Sequence, residues 1–103
     1  MSARDSLNGM QFQYTKVDTG GRPMHRLEAV HPDHGVVGKM DWSVKQIRNI
    51  DVEPEHRRQG IATALWEKGQ SIRPTPKHSD QRTDAGDAWA RTVGGRLPRR
   101  DRT

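Results

Sequence analysis

Pro54 divides the chain into two kinds of pattern. Before it, short alternations of apolar and polar residues are separated by turn residues. After it, apolar residues recur at helical spacing. Proline has no backbone N–H and cannot donate to a ladder, so a strand that reaches Pro54 has to end there. Four strand candidates precede it: Gln11 to Val17, Met24 to Val30, Val36 to Ser43 and Gln46 to Glu53. Thr19 to Pro23 and His31 to Gly35 are turn sequences between them. Short strands joined by short turns predict an antiparallel meander. The fourth candidate breaks the two-residue period, because Ile47 and Ile50 are three apart.

Beyond Pro54, Gln59 to Ser71 reads as a helix, with Ile61, Leu65 and Ile72 on one face and Ala62 and Ala64 allowing close approach. Pro74 and Pro76 stop any continuation. Lys77 to Asp80 reads as a short strand or a loop. Thr83 to Val93 reads as a second helix, capped by Thr83 or Asp84 and ended by Gly94 or Gly95. The expected class is therefore α+β. A chain of 103 residues suits one modest core. The expected organisation is a flexible N-terminus over 1–10, a compact domain over 11–95 and a basic flexible tail over 96–103.

Composition narrows the chemistry. The chain has no cysteine, which excludes disulfides, thiolate metal sites and a cysteine nucleophile. Its five histidines show neither i, i+4 nor H-E-x-x-H spacing, so no metal is expected. No apolar run approaches the ~18 residues of a membrane span, and the N-terminus lacks the apolar core of a signal peptide. The expectation is a cytoplasmic protein without membrane contact. The net charge of +5 favours acidic partners: nucleic acid, an acidic protein surface or a phosphorylated cofactor. Much of the excess sits in Arg96, Arg99, Arg100 and Arg102. No aromatic residue interleaves with them for base stacking, so a solubilising tail is an equal reading.

The segment Ile50 to Trp66, IDVEPEHRRQGIATALW, carries the most specific chemistry. An apolar strand runs into Pro54, a basic turn follows from Arg57 to Ala62, and a helix opens inside that turn. The first turn of a helix offers backbone N–H groups and a dipole that favours anions. Gly60 lets the backbone approach a phosphate, Ala62 keeps the next turn slim, and Arg57 and Arg58 add charge. No Gly-Lys-Ser/Thr follows, so this is not a nucleotide P-loop, and one glycine is too few for a dinucleotide fingerprint.

Val52-Glu53-Pro54 followed by Arg57-Arg58-Gln59-Gly60-Ile61-Ala62 resembles the cofactor signature of the GNAT family of N-acetyltransferases, an apolar strand, Val-x-Pro, and then Arg/Gln-x-x-Gly-x-Gly/Ala. The resemblance is strong over residues 47–66. It implies a mixed, mostly antiparallel sheet whose fourth and fifth strands splay apart, with a cofactor-binding helix after the fourth strand and one further helix. It implies acetyl-CoA as cofactor, its pyrophosphate held by Arg57, Arg58, Gln59, Gly60, Ile61, Ala62 and Thr63, and its pantetheine arm paired with the Val52 backbone. Family members usually carry two helices between their first two strands. Here only Asp18 to Pro23 separates those candidates, so this would be a compact member.

The implied reaction is attack of an amine on the thioester. A lysine-type amine has a pKa of about 10.4 and needs a base or a water relay. Asp51 and Glu53 share a strand face with Asn49 and are equal candidates for that base. His25, Glu28 and Trp42 are candidates for the acceptor side. Many family members protonate the leaving thiolate with a tyrosine in their last helix, but Thr83 to Val93 has Trp89 and no tyrosine. Ser79, His78 or a water would have to serve. The acceptor is an amine of a protein, a small molecule or a nucleobase. Two other readings stand beside this one: a non-catalytic acyl-CoA-binding or interaction module, and a basic nucleic-acid-binding domain. Dimerisation is left open, since a second copy would be one way to complete a small, open acceptor cleft.

Overall fold

The computed structural model describes residues 9–18, 20–21 and 23–99. The expected terminal segments fall partly outside these residues, Arg100 and Arg102 included. Four strands form: β1 (Gln11–Asp18), β2 (Pro23–His31), β3 (Gly35–Trp42) and β4 (Ile47–Val52). They pair in sequence order, and every pairing is antiparallel. The meander expected from the turn sequences is the sheet that forms.

Alternation sends His25, Leu27 and Ala29 of β2 to one face, where all three are buried. Val37, Met40 and Trp42 of β3 and Ile47 of β4 join the same core. Arg26, Glu28, Lys39, Asp41, Asn49 and Asp51 share the opposite, polar face by register. Arg26 and Asp41 are directly opposed there and pair at 2.8 Å. One face packed and one solvated is the usual economy of an antiparallel sheet.

Two bulges interrupt the register. Ala29 pairs with Gly38 but Val30 pairs with Val36, which leaves Val37 as the extra residue. Asp41 pairs with Asn49 but Trp42 pairs with Ile47, which leaves Arg48 extra. The second bulge accounts for the broken period of the sequence. Because two residues of β4 oppose one of β3, Ile47 and Ile50 both reach the core although they are three apart.

After β4 a single 3-10 turn, Pro54–His56, leads to α1 (Ile61–Gly69). This helix is shorter than the predicted 59–71, because Gly60 takes a left-handed φ of 82° as its N-cap. Ile61, Ala64, Leu65, Trp66 and Gly69 are buried against the sheet. Close approach is enforced at Gly38, where a Cβ would lie 2.8 Å from Ile61 Cγ2. Ile72, expected on the buried face, lies beyond the helix and is only half-buried.

Residues 77–80 form a loop, not a strand. Pro74 and Pro76 cannot donate to a ladder, and one backbone bond ties the segment to the sheet, from Ile47 N–H to Lys77 O at 2.6 Å. The mixed sheet with a fifth strand is therefore replaced by a four-stranded antiparallel one among the described residues. α2 (Asp84–Val93) follows. Thr83 caps it, its hydroxyl accepting from Gly86 N–H at 3.0 Å, and Gly94 ends it. Asp87 joins Arg82 and Arg91, each at 2.9 Å. Ala90 is buried, and Trp89 Nε1–H donates to Thr63 Oγ1 at 3.2 Å, so α2 docks across the start of α1. Among the described residues no helix is long and apolar enough to cross a membrane.

Candidate functional site

β4 is an edge strand, and its free edge is half of the site. Glu53 N–H donates to Val37 O at 2.8 Å, so that peptide faces β3. By alternation the Ile50 and Val52 peptide groups face away from β3, toward the open edge. The Lys77 carbonyl covers this edge at Ile47 only. Further along, the edge borders a cleft of about 630 Å³ walled by the turn after β4, the start of α1 and the first turns of α2.

The turn is shaped by two left-handed residues, Arg58 at φ 63° and Gly60 at φ 82°. Successive N–H groups in such a turn form a concave anion-binding surface. No side chain caps α1, and the first intrahelical bond described is Ala64 N–H to Gly60 O at 2.9 Å. The first-turn N–H groups, Ile61, Ala62 and Thr63, therefore have no intrahelical acceptor. A Cβ at Gly60 would meet nothing within 4 Å, so the space in front of the turn is open. Arg57 turns back and donates from Nε to Val52 O at 3.1 Å, which ties the turn to the strand end.

Of the eight residues proposed to hold a cofactor, Val52, Arg57, Arg58, Gly60, Ile61, Ala62 and Thr63 line this cleft, and Gln59 does not. Among the proposed catalytic residues, Asp51 borders the cleft. Glu53 is exposed at the N-cap of the 3-10 turn and borders neither this cleft nor the adjoining chamber. That chamber, of about 250 Å³, lies between the first half of β4 and residues 78–90 and shares Ile50, Thr83, Gly86 and Trp89 with the cleft. Ser79 and His78 both line it. Ser79 Oγ accepts from Gln81 N–H at 3.0 Å. His78 is 3% exposed, stacked on Trp66 with centroids 4.0 Å apart, and its Nε2–H donates to Gly94 O at 2.7 Å. That bond and that stack lock the ring as packing between α1 and the end of α2.

His25 and Trp42 were expected on the acceptor side and instead lie in the core. Trp42 is fully buried, with Nε1–H donating to Pro74 O at 2.8 Å. His25 stacks on Trp42 and shares a 2.6 Å hydrogen bond with Tyr14 Oη through Nδ1. Burial, helped by the Lys16 charge, holds the His25 pKa below its ordinary value. Glu28 belongs to the polar face of the sheet. The cause is the register: these residues lie on β2 and β3, and the cleft opens at the far edge of β4.

Sequence reasoning overlooked Ala85, Gly86 and Trp89 of the α2 wall, and also His56, while Thr83 belongs to the polar stretch 77–84 expected near the reactive end of the cofactor. The signal for the wall was a pair of small residues, Ala85 and Gly86, in the first turn of a capped helix. His56 packs its ring with His31 and His34 at centroid separations of 5.4 and 5.2 Å, and those two rings lie 4.5 Å apart. His31 Nδ1 accepts from Asp33 N–H at 3.0 Å. Among the described residues no group of side chains is arranged to hold a metal ion.

Compared with protein-family models, with curated proteins and with solved structures, the chain matches none. The family resemblance therefore rests on the residues quoted for it.

Proposed function

We propose that this chain is an acetyl-CoA-dependent N-acetyltransferase that holds its cofactor in the cleft between β4, α1 and α2. One observation carries the reading: seven residues chosen for phosphate and pantetheine contacts line a single cleft at an uncapped helix N-terminus. The donor set fits a pyrophosphate, with backbone N–H groups of Ile61 to Thr63 in front and the Arg58 guanidinium beside them. The edge at the Ile50 peptide and the Val52 N–H suits an amide-bearing arm that pairs as an added strand would, the Val52 carbonyl being taken by Arg57 Nε. When bound, acetyl-CoA supplies an activated acyl carbonyl. The acceptor amine forms the new N–C bond, the C–S bond breaks, and CoA leaves as the thiol with the proton the amine loses.

This chain's own residues have two proton tasks in that exchange. Asp51, bordering the cleft, is the better placed of the two carboxylates to take the amine proton, directly or through water. Ser79, bordering the chamber next to it, is the hydroxyl available to the leaving sulfur. Titration calorimetry of acetyl-CoA tests the reading. Saturable binding is expected for the wild type and none for Gly60→Glu, whose side chain would occupy the phosphate space. Gly60→Asn tolerates the left-handed backbone and is expected to keep binding. Absence of binding to the folded wild type would overturn the reading.

A non-catalytic acyl-CoA-binding module is the second reading. It is favoured by Trp89 standing in a last helix without tyrosine and by the locked ring of His78. Binding without thiol release over a panel of amines would select it.

A further inference from the structure

We infer that the 250 Å³ chamber beside the cofactor cleft is an acceptor subsite for a small amine that also carries an anionic group, a carboxylate or a phosphate, and that Arg48 is its specificity-determining residue. This rests on the acetyltransferase reading and names the substrate class within it. Three observations support it.

The chamber is continuous in its lining with the cofactor cleft, sharing Ile50, Thr83, Gly86 and Trp89. A molecule in it would lie against the β4 edge next to the arm of the cofactor. Its volume is below the ~300 Å³ at which sites for drug-sized ligands begin. It suits a small acceptor better than a folded surface.

The charge around it is one-sided. Two arginines, Arg48 and Arg82, line it, and no Asp or Glu does. Arg82 is already engaged: its Nε donates to Asp87 at 2.9 Å and Nη1 donates to Ser79 O. Arg48 is exposed and has no ion-pair or hydrogen-bond partner among the described residues. A guanidinium with five donors and no acceptor, beside a chamber without carboxylates, matches a carboxylate or phosphate. It disfavours the cationic surroundings of a protein lysine or a polyamine.

The backbone sets Arg48 apart. It is the extra residue of the β4 bulge, opposite no residue of β3. Bulges re-aim a side chain out of the regular pleat, and they recur beside active sites. The same irregularity that brings Ile47 and Ile50 to the core leaves Arg48 outside the ladder, at the chamber wall. Asn49, Ser79 and Gln81 add neutral hydrogen-bonding groups around it. These would orient the acceptor once Arg48 has fixed its anionic end.

The experiment uses the full chain saturated with CoA, which cannot transfer, and titrates paired amines that differ in one group. Glycine is set against glycinamide, 2-aminoethyl phosphate against ethanolamine, and 1,4-diaminobutane serves as the cationic probe. The anionic member of each pair is expected to bind at least tenfold tighter than its neutral partner. Arg48→Gln is expected to abolish that difference, and Arg48→Lys to restore part of it. With acetyl-CoA, KM for the anionic amine should rise in Arg48→Gln while kcat stays near the wild-type value. Equal binding of the paired amines, preference for the diamine, binding of none, or a preference unchanged in Arg48→Gln would each overturn the inference. If CoA itself fails to bind the folded chain, the acetyltransferase reading falls, and that result is separable from the others because it precedes any amine. Far-UV circular dichroism confirms folding of the variants, and Arg48 is exposed, so its replacement removes no core contact.

Discussion

Arg58 and Gly60 are both left-handed, and they hold that conformation on different terms. Glycine adopts it freely, whereas for an arginine it is strained by roughly 1 kcal/mol or more. Gly60→Ala adds a Cβ that meets open space, so its cost is the backbone alone. A loss of about 1 kcal/mol in urea denaturation is expected. Arg58→Gly should do the reverse. It relieves the strained backbone and removes a cation from the anion turn, so stability stays level or rises while acetyl-CoA affinity falls. Calorimetry and denaturation on the same variant check both halves, and a clear loss of stability would show that the Arg58 side chain contributes more than the strain costs. The glycine of this turn was legible in the sequence, because a lone Gly between a basic pair and an Ala-rich helix start has few other uses. The strain at Arg58 was not, since nothing in an arginine signals a positive φ. Arg48 was hidden for a related reason: its role depends on which residues of β3 it fails to face.

The two helices are held in different ways at the scale of elements. α1 is pinned to the sheet by closeness: Gly38 accepts Ile61 against its bare Cα, and Gly69 leaves room for Pro76, whose Cγ would stand 2.7 Å from an added Cβ. Gly38→Ala has to push α1 off β3, and overpacking of this kind costs about 1 to 3 kcal/mol. Thermal denaturation should show the drop. α2 is held by its ends and one edge. Thr83 caps it, Asp87 gathers Arg82 and Arg91, and Trp89 meets Trp66 edge-on at 6.1 Å. Thr83→Ala is expected to cost about 1 kcal/mol. Because α2 forms a wall of both the cleft and the chamber, the same change should raise hydrogen exchange over residues 84–93 before it affects the sheet. Unchanged exchange in α2 would show that Trp89 and Ala90 alone fix the helix. The elements themselves were largely legible: alternation marked the strands, Pro54 marked the end of the sheet, and Thr83 and Gly94 marked α2. The fate of 77–80 was not, because its backbone partner, Ile47, lies 30 residues earlier in the chain.

At the scale of the whole molecule, a single core on one face of the sheet makes stability depend on the few polar groups that this core encloses. His25 is the clearest of these, at 5% exposure between Tyr14 and Trp42. Burial first, and then the Lys16 charge, depress its pKa in the folded state below the 6.5 of the unfolded chain. The unfolded state therefore binds the proton more readily. The stability that a neutral His25 contributes is fully present above about pH 6.5 and is lost as pH falls from there through the folded pKa. Asp87 acts lower on the scale: hydrogen bonds from Arg91 and Arg82 depress its pKa, so its contribution persists until pH falls below about 3.9. Urea denaturation at pH 8, 6.5 and 5 should give equal stability at the first two values, to within the onset of titration, and a decline at the third. His25→Phe keeps an aromatic ring in the stack and removes the titration, so its decline between pH 6.5 and 5 should be the smaller. If wild type and variant lose stability in parallel over that interval, the sensitivity belongs to groups outside the core, and the buried His25–Trp42 pair under Tyr14 is not what couples this fold to pH.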